Sequence, residues 1–162
     1  MSLSRRLGDC LAQRGWLAAT AESCTGGGIA AAITEVPGSS AWFEYGLVTY
    51  ANKAKQSLLG VSEDLLAREG AVSEPVVKAM ALGALEVSGA DLTVAVSGIA
   101  GPGGGSADKP VGRVWFAWAS HNAGDSRVKT LRRDFSGDRR SVREQTVLCA
   151  LEGLIELSTT SV

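Results

Sequence analysis

The stretch Glu22-Ser23-Cys24-Thr25-Gly26-Gly27-Gly28 sets the character of this chain. It stands between a short apolar run, Trp16 to Ala21, and a helix-forming run, Ile29 to Ile33, and so predicts a corner between a buried strand and a helix. Such a corner exposes a side chain and directs free backbone N–H groups and the positive end of a helix at one point. These are the parts needed to attack a carbonyl and to hold the oxyanion that forms. The stretch therefore indicates an enzyme or an anion-binding protein.

Strands and helices alternate along the rest of the chain. We predict helices over 3–14, from the corner to Glu35, over 52–59, from Ser73 and from Gly137-Asp138, and strands over 16–21, 45–50, 92–96, 114–119 and 128–135. The polar tail from Ser158 is predicted to fray. This order is typical of a three-layer α/β/α sandwich with a mixed, mostly parallel sheet, in a single domain over residues 1–162.

Three polar clusters follow directly after predicted strands. They are the Ser23 corner, Tyr50, and the loop that begins at Gly98. In sheets of this kind, ligands bind in the crevice beyond the carboxyl ends of the strands. We therefore expect the three clusters to share one rim of the sheet and to form the site there.

Composition excludes several other classes of protein. The 162 residues are 45% hydrophobic and carry a net charge of −1, which suits a globular domain and argues against a general nucleic-acid binder. No apolar run approaches the ~20 residues that span a bilayer, and no secretory signal is recognised, so we expect no membrane partner. The three cysteines, at positions 10, 24 and 149, have no metal-type spacing and form no disulfide framework, which favours a cytoplasmic protein.

The single histidine, His121, stands in a polar turn, His121 to Asp125, between two predicted strands. One histidine in a turn argues against a histidine-rich metal site and against a Ser-His-Asp triad. We therefore expect no metal and no cofactor, and a base other than histidine for any nucleophile.

Charge is distributed unevenly along the chain. The segment from Lys109 to Arg143 holds nine Lys and Arg against three Asp, which gives it a charge of +6, whereas the rest of the chain carries −7. A solvated basic face and a binding site for a phosphorylated ligand both explain this segment.

Ser23 and Cys24 are both candidate nucleophiles. A thiol at a helix N-terminus has a lowered pKa, whereas a hydroxyl needs a neighbouring base. The alternative interpretation is that Ser23 and Thr25 only cap the helix.

The candidate bases are Lys53 and Lys55, which follow Tyr50 at the end of the next predicted strand. A lysine that is partly desolvated can lose its proton and act as a neutral base. Tyr50 could orient that amine or relay the proton. Spacing alone does not choose between the two lysines.

The loop Gly98-Ile99-Ala100-Gly101-Pro102-Gly103-Gly104-Gly105 is a second candidate binding element. Glycines after a strand let the backbone approach an anion closely, as in phosphate-binding loops. It is not a Walker A loop, because no Gly-Lys-Ser/Thr follows. Lys109 could add a point charge to a phosphate, and a flexible surface loop is the alternative.

Five motifs in order along the chain resemble one family. They are Ala21-Glu22-Ser23-Cys24-Thr25-Gly26-Gly27, Val36-Pro37-Gly38-Ser39-Ser40, Val48-Thr49-Tyr50-Ala51-Asn52 with Lys55 and Leu59-Gly60-Val61, Gly70-Ala71-Val72-Ser73, and Gly98-Ile99-Ala100-Gly101-Pro102 with Lys109-Pro110-Val111-Gly112. Together they resemble the C-terminal domain of the competence-damage-inducible protein CinA, from about residue 3 to 157. Stand-alone members of that family include nicotinamide mononucleotide (NMN) amidohydrolase.

The resemblance implies a three-layer α/β/α fold and hydrolysis of the NMN carboxamide to nicotinate mononucleotide and ammonia. It also implies a serine–lysine arrangement without metal, in which the nucleophile falls on Ser23, the tyrosine on Tyr50 and the lysine on Lys55. The family's Gly-Asp-Arg run falls on Gly137-Asp138-Arg139, with Arg143 one helical turn further along.

From these parts we expect neutral Lys55, aligned by Tyr50, to take the proton of Ser23 as it attacks the carboxamide. The oxyanion is expected on backbone N–H groups of the segment Thr25, Gly26 and Gly27. The phosphate of the pyridine nucleotide is expected on the glycine loop and on basic side chains of the same or a second subunit. These binding residues are Gly98, Ala100, Gly101, Lys109, Arg139 and Arg143.

Two other functions fit the same residues. The loops could bind a nucleotide or a phosphorylated metabolite without chemistry, or the same residues could hydrolyse a different amide. We also expect a homodimer or a higher homo-oligomer, because Trp42 and Phe43 stand in a loop and indicate a buried interface.

Overall fold

The structure is a computed structural model and describes residues 1–122 and 124–160. Its regular elements over those residues, in chain order, are α1 (Leu3–Arg14), β1 (Ala18–Glu22), α2 (Gly28–Thr34), β2 (Phe43–Val48), α3 (Asn52–Leu59), α4 (Glu63–Glu69), α5 (Glu74–Ser88), β3 (Leu92–Gly98), β4 (Arg113–Asn122), β5 (Asp125–Asp134) and α6 (Arg139–Thr159). A short 3₁₀ turn, Ser39–Ala41, precedes β2.

The strands form one sheet in the order β2-β1-β3-β4-β5. Strand β1 pairs in parallel with β2 and with β3, and the β4–β5 hairpin continues the sheet in antiparallel pairing. The predicted mixed sheet is confirmed, but two of its four strand pairs are parallel and two antiparallel, so it is not mostly parallel. The carboxyl ends of β1, β2 and β3 therefore meet at one edge of the sheet, as parallel strands must.

The β4–β5 hairpin closes at the opposite edge. Gly98, the last residue of β3, pairs with Val114 near the start of β4, whereas Leu92 at the start of β3 pairs with Ser120. His121 is exposed at this far edge, where Ser126 Oγ lies 3.4 Å from its Nδ1. Of the turn predicted here, Ala123 lies outside the described residues.

Two helical layers cover the sheet. Helices α1, α2 and α6 pack together on one face, and α3, α4 and α5 on the other. Side chains of successive strand residues point to opposite faces of the sheet. Val94 and Val96 therefore pack in the core beneath α1, α2 and α6, whereas Ala95 packs in the core beneath α5. This arrangement confirms the predicted three-layer sandwich.

Close backbone packing fixes two of the helices. A Cβ built on Gly83 of α5 would lie 2.0 Å from the Leu59 carbonyl oxygen, so only glycine lets α5 meet the end of α3. On the other face, a Cβ on Gly153 of α6 would lie 2.1 Å from the ring of Trp118. Trp118 itself donates from Nε1 to the Ala150 carbonyl at 3.1 Å. Helix α3 carries Lys55, so its seat against α5 matters for the site.

The structure departs from the sequence predictions at several points. Strand β1 begins at Ala18 instead of Trp16, and β2 ends at Val48, two residues before Tyr50. Helix α2 begins only at Gly28, and α4 was not predicted, although Ser62 caps it by accepting from the Leu65 N–H at 3.1 Å. The frayed tail is wrong at Ser158, which is buried within α6, while positions 161 and 162 lie outside the described residues. Trp42 is buried in the chain's own core, so it does not indicate an interface.

Candidate active site

Glycines build the corner on which Ser23 stands. The Ser23 N–H still donates to the Val96 carbonyl at 3.1 Å, which extends the β1–β3 pairing by one residue. The chain then turns, with the Gly26 N–H donating to the Ser23 carbonyl at 3.1 Å. Gly26 and Gly27 have φ of +59° and +102°, values in the left-handed region that favours glycine. These glycines therefore form the turn, and the helix starts after them.

Lys55 lies against Ser23. Its Nζ is 3.0 Å from Ser23 Oγ, 2.8 Å from the Thr49 carbonyl oxygen and 2.9 Å from the Tyr50 carbonyl oxygen. The lysine is 1% exposed and the serine 8% exposed. Ser23 Oγ also lies 3.4 Å from the Tyr50 carbonyl oxygen. The end of β1, the connection after β2 and the first turn of α3 thus meet at one hydroxyl and one amine.

These contacts also accommodate an uncharged amine. A neutral amine has two N–H bonds and one lone pair, and two backbone carbonyls already accept from Lys55. The third direction, toward Ser23, is then left for the lone pair. Burial of the amine lowers the pKa of Lys55 from its ordinary value, because desolvation penalises the charged form. The geometry and the lowered pKa together fit Lys55 as a base for the Ser23 hydroxyl.

The competing nucleophile and base are less suited. Burial raises the pKa of the Cys24 thiol to about 11, and the charge of Glu22 adds to the rise. A thiol with that pKa stays protonated near neutral pH, and the protonated form is a weak nucleophile. Lys53 is exposed on α3. The structure thus brings Ser23 and Lys55 together, the pair that the family resemblance implies.

Tyr50 contacts the lysine through its backbone. Its carbonyl oxygen accepts from Lys55, whereas its side chain is 59% exposed. The phenol oxygen accepts from Arg139 Nη2 at 3.3 Å, and Arg139 Nη1 donates to the Gly101 carbonyl at 2.9 Å. In this structure Arg139 therefore spans from Tyr50 to the glycine loop, and the Tyr50 hydroxyl faces Arg139 instead of the amine.

A cavity of about 260 Å³ opens in front of Ser23. Its walls come from the end of β1, the connection between β2 and α3, the glycine loop and the start of α6. The lining residues are Ser23, Cys24, Tyr50, Gly98, Ile99, Ala100, Gly101, Gly103, Gly104 and Arg139. The Ser23 corner, Tyr50 and the Gly98 loop, which the sequence predicted to share one rim of the sheet, therefore line the same cavity.

Four predicted contributors are placed elsewhere. Thr25, Gly26 and Gly27 do not line the Ser23 cavity, and the Gly26 N–H is already engaged in the turn. Lys109 donates from Nζ to the Glu69 carbonyl at 2.6 Å and is absent from the cavity wall. The structure does not bring these groups to the space in front of Ser23.

Arg143 holds the nucleophile turn from behind. Its Nε donates to the Cys24 carbonyl at 3.2 Å and its Nη2 to the Thr25 carbonyl at 3.0 Å. It also borders a second, open cleft of about 640 Å³ at the start of α6, beside the first cavity. The residues of this cleft are Ala100, Pro102, Val111, Gly137, Asp138, Arg139, Arg140 and Arg143. Ala100 and Arg139 line both spaces, so the cleft continues the cavity.

Within the described residues, three of the nine basic side chains of the segment from Lys109 to Arg143 form ion pairs. Arg113 pairs with Asp134, Lys129 with Glu156 and Arg140 with Glu144. These pairs interrupt the basic segment, so it does not form one continuous charged patch. In the part of the chain that the structure describes, the Arg139 guanidinium donates to two uncharged groups, the Gly101 carbonyl and the Tyr50 hydroxyl. Arg139 lines both the cavity and the cleft and is the cation best placed for an anionic ligand.

Glu22 was not predicted as a functional residue. It is fully buried, and its carboxylate accepts from the Thr25 hydroxyl at 2.5 Å and from the Ile29 and Ala30 N–H groups at 2.8 and 3.0 Å. The sequence did carry a signal, because an acidic residue stood at the end of an otherwise apolar and small-residue strand. A buried carboxylate requires such partners.

Among residues 1–122 and 124–160, no three His, Cys, Asp or Glu side chains are grouped so as to hold a metal ion. Over the same ranges, no helix has the length and apolar character that crossing a membrane requires.

The fold and the dyad define an α/β/α domain with a serine beside a buried lysine, and comparison with known proteins gives the family. The family model described as "CinA C-terminal domain" matches residues 1–158. The nicotinamide-nucleotide amidohydrolase PncC of Pseudomonas putida is 58% identical over 158 residues, which cover 98% of this chain and 96% of that protein. The protein of the same name from Escherichia coli K12 is 54% identical and covers 95% and 92%.

A solved structure agrees. The competence/damage inducible protein CihA from Agrobacterium tumefaciens superposes with a TM-score of 0.91 at 48% identity, covering 97% of this chain and 94% of that one. The chain belongs to the CinA C-terminal domain family. With relatives of this identity over nearly their whole length, it is an enzyme of the amidohydrolase class.

Proposed function

We propose that this protein hydrolyses the carboxamide of nicotinamide mononucleotide, giving nicotinate mononucleotide and ammonia. The observation that carries the proposal is the 3.0 Å contact between Lys55 Nζ and Ser23 Oγ, in a buried setting that lowers the pKa of the lysine. The substrate is carried over from the names of the relatives that match nearly the full chain.

Lys55 takes the hydroxyl proton as Ser23 Oγ forms a bond to the carboxamide carbon. The carbonyls of Thr49 and Tyr50 hold the two N–H bonds of the amine, so its lone pair stays on the serine. Lys55 then gives the proton to the departing nitrogen, and ammonia leaves the acyl-enzyme. Water attacks the ester with help from the same base and releases the acid.

The oxyanion needs hydrogen-bond donors beside Ser23. Among the described residues, the N–H groups of Ala100 and Gly101 donate to no acceptor, and both residues line the cavity. The N–H groups of Thr25 and Gly27 also have no acceptor in that part of the chain, but these residues lie outside the cavity wall. We therefore favour Ala100 and Gly101 over the donors that sequence suggested.

The phosphate of the nucleotide fits the arginine-lined cleft that continues the cavity. Arg139 lies at the junction of the two spaces and has no acidic partner among residues 1–122 and 124–160. A guanidinium binds phosphate oxygens through charge-assisted hydrogen bonds. Anchoring the phosphate there leaves the ring and its carboxamide to enter the cavity in front of Ser23.

The test is ammonia release from NMN by the purified protein, beside Ser23→Ala and with EDTA present. We expect release that survives EDTA and disappears in the variant. Release that Ser23→Ala retains in full would rule out the serine as nucleophile. Calorimetric binding of NMN by a folded protein that releases no ammonia would replace the proposal with a nucleotide-binding function, and activity only on other amides would replace the substrate.

A further inference from the structure

The corner that carries Ser23 is held by a pair of side chains that point away from the cavity. Glu22 precedes the nucleophile in the strand, so the two side chains leave opposite faces of the sheet. Ser23 meets α3 on one side, and Glu22 meets the start of α2 on the other. Anything that fixes Glu22 therefore also fixes the backbone from which Ser23 projects.

Glu22 is tied at three points, all of them in the segment just beyond the nucleophile. One carboxylate oxygen accepts from Thr25 Oγ1 and the Ile29 N–H, and the other accepts from the Ala30 N–H. Glu22 is 0% exposed and Thr25 is 1% exposed. All three partners of this buried carboxylate are uncharged donors, so the contacts define a geometry without neutralising the charge.

Thr25 is held from its other end as well. Its carbonyl accepts from Arg143 Nη2 while its hydroxyl donates to Glu22. The residue therefore lies between a buried carboxylate and a guanidinium from α6, two positions after Ser23. A turn containing Gly26 and Gly27 has no side-chain stiffness of its own. The Thr25 hydroxyl supplies a restraint that those glycines lack.

We propose that Glu22 and the hydroxyl of Thr25 are positioning residues that keep Ser23 Oγ on Lys55. The proposal rests on the amidohydrolase mechanism above, in which Ser23 attacks and Lys55 takes its proton. Neither side chain lines the cavity, so their effect is on the placement of the nucleophile. A displacement of about 1 Å at a reacting group can lower a rate 10²-fold.

The sharpest test compares Thr25→Val with Thr25→Ser. Valine keeps the shape of threonine and removes the hydroxyl, whereas serine keeps the hydroxyl. We expect Thr25→Val to lower kcat for ammonia release by about 10- to 100-fold at unchanged KM, and Thr25→Ser to retain most of it. The pH profile of the remaining activity should keep its rising limb, because Lys55 is untouched. Glu22→Gln should act in the same direction as Thr25→Val.

Thr93→Val is the matched control. Thr93 is likewise fully buried and donates its hydroxyl to a backbone carbonyl, that of Ala81, at 2.9 Å, but it lies at the end of β3 remote from Gly98. It should lose stability as Thr25→Val does and keep kcat. Equal kcat for Thr25→Val and Thr25→Ser would overturn the proposal, as would equal losses of kcat in Thr25→Val and Thr93→Val.

A second readout separates this proposal from the choice of substrate. A fluorophosphonate probe forms a bond to an activated serine oxygen and releases fluoride, and mass spectrometry locates the adduct. We expect Ser23 to be labelled more slowly in Thr25→Val than in Thr25→Ser. If wild type hydrolyses no NMN, the proposed substrate fails while the labelling rates still decide the positioning role. Equal labelling rates in the two variants would overturn that role.

Discussion

At the scale of single residues, the dyad is aligned by the main chain. Lys55 contacts the carbonyls of Thr49 and Tyr50, two groups that no side-chain substitution removes. Its direction toward Ser23 therefore depends on where β2 ends and α3 begins. The amine is buried without an acidic partner among the described residues, which is the setting that lowers a lysine pKa.

Lys55→Arg should abolish most of the activity. A guanidinium stays protonated and cannot act as a base, so kcat should fall by about 10²- to 10⁴-fold. The control is Lys53→Arg, the same change at an exposed position of α3, which should leave kcat at the wild-type value. Ammonia release from NMN measures both. Wild-type turnover in Lys55→Arg would exclude the lysine as the base.

The rate should rise with pH below the pKa of Lys55. Only the neutral amine accepts a proton, so kcat should change about tenfold per pH unit on that limb. Burial lowers this pKa, and the limb should therefore end below the ordinary lysine value of ~10.4. A kcat profile across the neutral and alkaline range gives the position. A limb that ends at the ordinary value would contradict a desolvated amine.

Tyr50→Phe should leave kcat largely intact. The carbonyl that contacts Lys55 remains, while the hydroxyl that accepts from Arg139 is lost. We expect KM for the proposed substrate to rise by a few-fold, because one hydrogen bond contributes about 0.5–1.5 kcal/mol. Steady-state kinetics separate the two parameters. A loss of kcat comparable to that of Lys55→Arg would instead give the phenol a part in proton transfer.

At the scale of elements, the position of α3 depends on a single glycine of α5. The Gly83 backbone lies so close to the Leu59 carbonyl that a methyl group there has no space. Helix α3 starts only two residues after Tyr50 and carries Lys55 in its first turn, so a shift of this helix moves the base. Packing at Leu59 thus reaches Lys55, four residues earlier in the same helix.

Gly83→Ala should therefore reduce stability and activity together. Overpacking of a close contact costs about 1–3 kcal/mol, and the displaced α3 should lower kcat as well. Val87→Ala, at an exposed position of the same helix, should change stability by less than about 0.5 kcal/mol. Urea unfolding and ammonia release provide the two readouts. Wild-type stability in Gly83→Ala would show that α3 is not held by this contact.

Helix and strand patterns predicted most elements, and local turn chemistry explains the exceptions. Helix α3 was predicted over its observed range because its apolar spacing ends at Gly60, a left-handed C-cap. The prediction started helix α2 too close to Ser23, because a run of capping residues and a glycine turn have similar sequences. Helix α4 has only seven residues, too few for a periodic signal.

At the scale of the whole molecule, the sheet topology brings together polar clusters that are far apart in the sequence. Parallel pairing of the first three strands places Ser23, Tyr50 and the Gly98 loop on one rim, which sequence reasoning anticipated. It could not anticipate where long basic side chains would go. Lys109 reaches back to the α4–α5 connection and Arg143 turns to the nucleophile corner, choices set by tertiary neighbours.

Arg139 is left as the cation for a phosphate, and its removal tests that. Arg139→Ala should lower kcat/KM for NMN by about 10-fold or more, since a hydrogen bond to a charged group contributes about 1.5–3 kcal/mol. Activity on nicotinamide riboside, which lacks the phosphate, should change little. Arg127→Ala, on β5 near the far edge of the sheet, is the control and should affect neither substrate. Equal losses on both substrates would show that Arg139 supports the cavity instead.

The hairpin at the edge opposite to Ser23 has a practical consequence. New sequence inserted after Gly124, which is exposed, would enter the chain at the far end of the sheet from Ser23. Exposed positions of this kind accept foreign segments best. An affinity handle or a fluorescent reporter inserted there would let the enzyme be immobilised, or followed in cells, with its chemistry intact.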